Sequence, residues 1–147
     1  MAKSYYSVVL DHPAEQVWAV VRPFDHYAWA GVPSVTVIED GKMGDQVGAI
    51  RRVTMGEKVI RQQLLAHSDL DRAYTYSLCD PAPFPVRNYV ATLRVTPVID
   101  SNQSFVEWWA TFDCDTDQYG HWTRHFSKNG FGTWLAALRD YLAKAGD

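Results

Sequence analysis

The sequence predicts an α+β domain in which a curved, seven-stranded antiparallel sheet wraps around one long C-terminal helix, with two short helices inserted after the first strand. Three observations carry that expectation. From Gly41 to about Asp115, strand-like segments follow one another, each closed by turn residues. The final segment changes period, because Phe131, Trp134, Leu135, Leu138, Tyr141 and Leu142 fall at helical spacing while Arg139, Asp140 and Lys144 take the other side. Near the N-terminus Ala14, Val17, Trp18 and Val21 recur at i, i+3, i+4 and i+7. A helix or helix pair, a run of strands and a long amphipathic helix must bury the apolar face of the sheet under that last helix.

Taken in order, the Tyr- and Val-rich segment 3–11 reads as the first strand, ending near Asp11. Pro13 suits the first turn of the following helix, Asp11 or His12 can cap it, and Pro23 ends it. Phe24 to Trp29 reads as a short second helix, after which Gly31 and Pro33 release the chain into the strand Ser34 to Glu39. Turns are expected at Gly41 to Gly44, Gly56-Glu57, Ser68 to Asp71, Asp80 to Pro85 and Asp100 to Asn102, which makes the strands an antiparallel meander. The terminal helix starts between His121 and Ser127. No repeat, low-complexity tract or linker divides residues 1–147, so a single domain is expected.

With 147 residues, 47% of them hydrophobic and 14% aromatic, the chain can bury one substantial core. A net charge of -3, with Lys and Arg scattered, gives no electrostatic ground for nucleic acid as a partner. No apolar run approaches the roughly 20 residues that span a bilayer, and residues 1–6 lack the layout of a secretion signal; a cytoplasmic protein without membrane insertion is expected, as monomer or homodimer. Cys79 and Cys114 form no CxxC; buried thiols are the plainer reading, and a single bridge stays open.

Strand parity supplies the inner face, since successive side chains point to opposite sides. In 59–67 the inward set is Ile60, Gln62, Leu64 and Ala66; in 73–79 it is Tyr74, Tyr76 and Leu78. In 89–97 Tyr89, Ala91, Leu93 and Val95 point in, and in 105–115 Val106, Trp108, Ala110, Phe112 and Cys114 do, leaving Trp109 outside. If Gly56-Glu57 is a two-residue hairpin loop, Met55 pairs with Lys58 and Arg51 falls opposite Gln62. Arg51 is then an inward guanidinium among Val53, Met55, Tyr74 and Tyr76, with no inward carboxylate in any strand. Such a cation must be met by water, a tyrosine hydroxyl, a carbonyl or an anionic group on a ligand. A slip of one residue would instead leave Arg51 on the surface and Arg52 inside or at an edge.

Trp18 in the first helix, VVRPFDHY from Val20, VGAIRR from Val47 and VRNYVATLRVTPV from Val86 stand in an order and spacing that resemble the helix-grip superfamily. That group includes START lipid-transfer domains, bacterial polyketide cyclase/dehydrase-like proteins, the birch-pollen-allergen group and the plant abscisic acid receptors. The resemblance covers about the whole chain and implies a cavity between sheet and terminal helix; it does not choose among carriers, receptors and enzymes. Against the receptors, the positions resembling Arg51, Gln62 and Tyr89 face the hormone cavity. The departures are larger: the hormone-gripping lysine would fall near Gly31, the gate is cut to Gly56-Glu57, the latch region reads Phe84-Pro85-Val86, and Gln62 and Ala110 replace glutamates. The cyclase/dehydrase-like group is the nearer home.

Nothing in the sequence offers nucleophilic or cofactor machinery. His121 and His125 stand at i, i+4, but Trp122 occupies the place of the glutamate in HExxH and no third ligand is evident; no metal or cofactor is expected, and both histidines read as surface residues at the helix start. Asp25-His26 are sequence neighbours that face differently on a helix. Three inward phenols, Tyr74, Tyr76 and Tyr89, need partners for their hydroxyls, which a polar-lined apolar cavity supplies. The expected partner is therefore a small hydrophobic or aromatic molecule with an acidic or enolic end. Arg51, Gln62, Tyr76 and Tyr89 would orient that end, and Met55, Phe112, Phe131 and Trp134 would enclose the rest. Val53, Leu64, Tyr74, Leu78, Phe84 and Ala91 complete the expected ligand-binding set. The rival expectations are a cyclase or dehydratase-type enzyme using the same cavity, and an interaction subunit presenting an exposed Trp109.

Overall fold

The computed structural model describes residues 1–31 and 34–145, so the expected role of Pro33 lies outside the described residues. Strand β1 (Ala2–Leu10) is followed by helix α1 (Ala14–Val21), a 3₁₀ turn (Ala28–Ala30) and β2 (Val35–Ile38). Then come β3 (Ile50–Met55), β4 (Lys58–Ser68), β5 (Ala73–Leu78), β6 (Arg87–Val98) and β7 (Gln103–Asp113). The C-terminal helix runs through α2 (Tyr119–Arg124), a π-helical stretch (His125–Gly132) and α3 (Thr133–Ala145). All strand pairs are antiparallel, in the order β1-β7-β6-β5-β4-β3-β2, and the sheet is curved but does not close. Among the described residues no helix is long and apolar enough to cross a membrane.

The helix-bearing face of the sheet is the core. On β7 burial alternates residue by residue, with Val106, Trp108, Ala110 and Phe112 fully buried, and on β6 Ala91, Leu93 and Val95 behave likewise. Leu135, Leu138 and Leu142 of α3 and all four stripe residues of α1 are buried too. Phe131 stacks on Trp108, ring centroids 4.9 Å apart and 18° between planes, and so joins the helix to the middle of β7. Cys114 is buried, Cys79 is half-buried, and both are free thiols. Trp109, expected to be exposed, is half-buried: it stacks on Tyr5 at 6.5 Å, with the Lys3 ammonium 5.8 Å from its ring.

Three local expectations fail for identifiable reasons. Neither Asp11 nor His12 caps α1; Pro13 is the N-cap, without a side-chain bond, and its carbonyl accepts from Gln16 and Val17. Phe24 to Trp29 is not one helix: only Ala28 and Trp29 are helical, in the 3₁₀ turn, and the backbone of Phe24 is committed elsewhere. Phe24 N donates to the Gly44 carbonyl at 2.9 Å, and the Phe24 carbonyl accepts from Arg51 Nη1 at 3.3 Å. On β4 a bulge between Leu64 and Ala66 reverses the parity. Ala66, expected inward, is exposed, whereas His67 turns in opposite Tyr74 and lies 5.5 Å from the Trp18 ring.

Asp69 ties α1 to the turn after β4. Its carboxylate accepts from both Nε and Nη2 of Arg22 at 2.8 Å and from Trp18 Nε1 at 2.9 Å. The Arg22 hydrogen bonds first, then Trp18, hold the Asp69 carboxyl well below the usual carboxylate range. A depressed folded-state pKa contributes stability that is present above the unfolded value near 4 and disappears as pH falls through the folded one. Asp69→Asn is therefore expected to cost on the order of 1 kcal/mol at pH 7, small because the carboxylate is half in solvent. Urea unfolding across pH checks this: the gap between variant and parent should close below about pH 4, and a gap independent of pH would contradict it.

Candidate functional site

A cavity of about 270 Å³ lies between β3, β4, β5 and β6, the loop carrying Pro83 and Phe84, and the π-helical stretch. Its apolar lining comes mainly from Met55, Ile60, Leu78, Phe84, Phe126 and Trp134. Two polar groups of side chains interrupt it. Gln62, Tyr76 and Tyr89 form the inner end, where Tyr76 and Tyr89 are buried; Lys58, His125 and Asn129 form the other, where Lys58 and Asn129 are exposed and so mark the mouth. A second void of about 40 Å³ shares Met55, Ile60, Gln62 and Trp134 and adds Tyr27 and Val53.

Register decides what stands behind the inner end. The hairpin turns on Gly56, whose φ of +62° is the conformation a first-position glycine supplies in a two-residue loop. Met55 therefore faces Lys58, and Arg51 faces Gln62. Arg51 is fully buried with no carboxylate against it among the described residues. Its Nε donates to Gln62 Oε1 at 2.6 Å and its Nη1 to the Phe24 carbonyl. The guanidinium carbon lies 4.2 Å from the ring centroid of Phe24, 4.6 Å from Tyr27 and 5.0 Å from Tyr76. Two charge-assisted hydrogen bonds at about 1.5–3 kcal/mol each, and desolvated cation–π contacts at about 2 kcal/mol each, offset a desolvation cost of several kcal/mol without a counter-ion.

The consequence for the cavity passes through Gln62. With Oε1 engaged by Arg51, the amide NH₂ is the end left for the cavity. Beside it, burial raises the Tyr76 and Tyr89 hydroxyls above their ordinary pKa, the charge of Arg51 opposing without prevailing. Both stay protonated at neutral pH. Tyr76 also accepts from Trp108 Nε1 at 3.1 Å. At the mouth, burial and then the neighbouring His121 and Lys58 lower the His125 pKa, which keeps the imidazole neutral at pH 7. The inner end thus offers hydrogen-bond donors to an acceptor oxygen.

Of the residues expected to bind a ligand, Met55, Gln62, Leu78, Phe84, Tyr76, Tyr89 and Trp134 line the cavity, and Val53 lines the adjoining void. Arg51, Leu64, Tyr74, Ala91, Phe112 and Phe131 do not; they are inward but packed. The physical reason is that other elements fill the space in front of them, α1 and Phe24 at Tyr74, β6 and the π-helical stretch at Phe112. Tyr74 sits against Trp18 and Phe24 at 6.1 and 5.8 Å, and Phe112 is covered by Tyr89 and Phe126. Conversely Lys58, Ile60, Pro83, His125, Phe126, Asn129 and Gly130 line the cavity without having been expected there. Lys58 was open to inference, since it shares the even parity of Ile60 and Gln62. His125, a surface residue by its sequence context, is half-buried in the wall, its ring 6.2 Å from that of His121. Among the described residues no group of three or more His, Cys, Asp or Glu side chains is arranged to hold a metal.

Comparison with known proteins gives a family and a set of structural relatives. The family model described as "Polyketide cyclase / dehydrase and lipid transport" matches residues 1–145. A solution structure from Thermobifida fusca is 29% identical, with a TM-score of 0.88 over 98% of this chain and 95% of that one. The protein XoxI from Bacillus cereus is 28% identical, with a TM-score of 0.84 over 100% and 99%. Norcoclaurine synthase from Thalictrum flavum, in complex with dopamine and hydroxybenzaldehyde, shares the fold at 11% identity, with a TM-score of 0.75 over 97% and 86%. No curated protein matches the sequence.

Proposed function

The chain belongs to the polyketide cyclase / dehydrase and lipid transport family, and from that premise and the cavity we propose that it binds a small, largely apolar molecule, aromatic or short-chain, whose inner end carries an acceptor oxygen. The observation that carries this reading is the amide of Gln62, fixed from behind by Arg51 and set beside the protonated hydroxyls of Tyr76 and Tyr89 in an otherwise apolar cavity. Small-molecule sites are built that way, a few oriented polar groups in an apolar lining, and about 270 Å³ suits one or two rings better than a two-chain lipid. Arg51 acts here as a positioning residue and does not touch the ligand.

A second reading, a cyclase or dehydratase-type enzyme, is favoured by one observation: the cavity holds both a neutral imidazole, His125, and phenols kept protonated, Tyr76 and Tyr89. An enolate oxygen would then be received by Gln62 and Tyr89, and His125 would accept the proton removed. Turnover separates the two, since a carrier returns its ligand unchanged.

The binding reading is tested with 2-naphthol as the probe, by calorimetry, alongside native mass spectrometry of the freshly purified protein. One-to-one saturable binding is expected, and Ile60→Trp, which fills the cavity, should abolish it while circular dichroism shows the fold intact. Binding that survives Ile60→Trp, or no binding and no co-purifying molecule, would overturn the proposal.

A further inference from the structure

The mouth of the cavity differs in chemistry from its interior. Lys58 is the first residue of β4, placed there by the Gly56-Glu57 turn, and His125 and Asn129 reach the same opening from the π-helical stretch. Among the described residues Lys58 makes no ion pair, and none of the three side chains takes part in a side-chain hydrogen bond; no acidic residue lines the cavity. Lys58 carries only donors, and the amide of Asn129 and the imidazole of His125 can each turn a donor to the same point. Arg51, the cation expected to meet an acidic group, lies in a ring cage behind Gln62 and does not line the cavity. Among the described residues the one cation that does line it is Lys58, at the opposite, solvent-facing end.

We infer that the natural ligand is an amphiphilic anion, bound with its apolar body inside and its carboxylate or other acidic group at the mouth, held by Lys58 with Asn129 and His125 as neutral donors. This deepens the binding proposal and rests on it. It also reverses the orientation expected from the sequence, in which the acid pointed inward to Arg51. The charge pattern agrees with the placement. A carboxylate at the mouth keeps part of its hydration and gains the ammonium, whereas at the inner end it would be stripped of water and separated from the guanidinium, whose Nε and Nη1 are bound to Gln62 and Phe24 and whose unpartnered Nη2 does not line the cavity. The imidazole fits the same view. Burial first, and then the neighbouring His121 and Lys58, lower the His125 pKa, so the imidazole meets the anion as a neutral donor beside the Lys58 ammonium.

The test compares 2-naphthoate with 2-naphthamide, which share shape and differ in charge. The parent protein is expected to prefer the acid by about tenfold, the size of one charge-assisted contact. Lys58→Gln should bring the ratio close to one and Lys58→Arg should restore it. At about 1 M salt, where the screening length is about 3 Å, the preference should shrink, as a solvent-facing contact requires. If the acid is not preferred, or if Lys58→Gln keeps the ratio while Gln62→Glu abolishes it, the acid does not sit at the mouth and the inference is wrong. If neither probe binds the parent protein, the binding proposal itself fails. The two failures are therefore distinguishable.

Discussion

Replacing Arg51 with alanine is expected to lower folding stability by about 3–5 kcal/mol, the range for emptying the volume of a large buried side chain and leaving its acceptors unpaired. Two terms add. The Gln62 amide oxygen and the Phe24 carbonyl lose a charged donor, and the faces of Phe24, Tyr27 and Tyr76 lose the guanidinium that fills the space between them. Arg51→Met separates these terms, because it keeps most of the volume, removes the cost of desolvating a cation and still leaves both acceptors unpaired. Methionine should therefore cost clearly less than alanine. Urea unfolding of the three proteins measures the series, and against a typical domain stability of about 5–15 kcal/mol the alanine variant stands near the limit of folding. An alanine variant within about 1 kcal/mol of the parent would mean that the cage is not structural, and with it would go the claim that Arg51 fixes Gln62.

The position of Arg51 was legible because it follows from a count. Gly56-Glu57 sets the register, Met55 opposite Lys58 carries it back to Arg51 opposite Gln62, and each step is a fixed translation along paired strands. Alternation on β6 and β7 was legible for the same reason. What the count could not supply is where it breaks. The bulge at Leu64/Ala66 exchanges Ala66 for His67 on the inner face, and the π-helical stretch shifts the helical phase, so that extrapolating back from Leu135 and Leu138 misplaces His125 and Asn129. Parity also separates inside from outside but not filled from hollow. Tyr74, Leu64 and Phe112 are as inward as Tyr76 and Leu78; what fills the space in front of them is tertiary, Trp18 and Phe24 over Tyr74 and Tyr89 and Phe126 over Phe112, and no count along a strand supplies it.

If Gln62 presents its NH₂ to the cavity, Gln62→Glu should change what the site accepts more than how stably the protein folds. Glutamate keeps an oxygen for Arg51 Nε, now as a buried ion pair, so stability should stay within about 1 kcal/mol of the parent, the desolvation of the carboxylate and its attraction to the guanidinium roughly cancelling. Its second oxygen, however, faces the cavity where the amide had a donor. A ligand whose inner group is a pure acceptor then meets an acceptor with no hydrogen between them. For 2-acetylnaphthalene, a ketone, the loss is that of a charge-relevant hydrogen bond, about 1.5–3 kcal/mol, or roughly ten- to more than a hundredfold in affinity. 2-Naphthol can turn its hydroxyl to donate and should lose far less, so the variant should prefer the phenol over the ketone where the parent does not. Calorimetric titration of both probes into both proteins reads the ratio directly. Equal losses for the two probes would point to a general disturbance of the cavity, and no loss for either would place Gln62 outside the binding contact; each result would remove the donor role on which the orientation of the bound molecule depends.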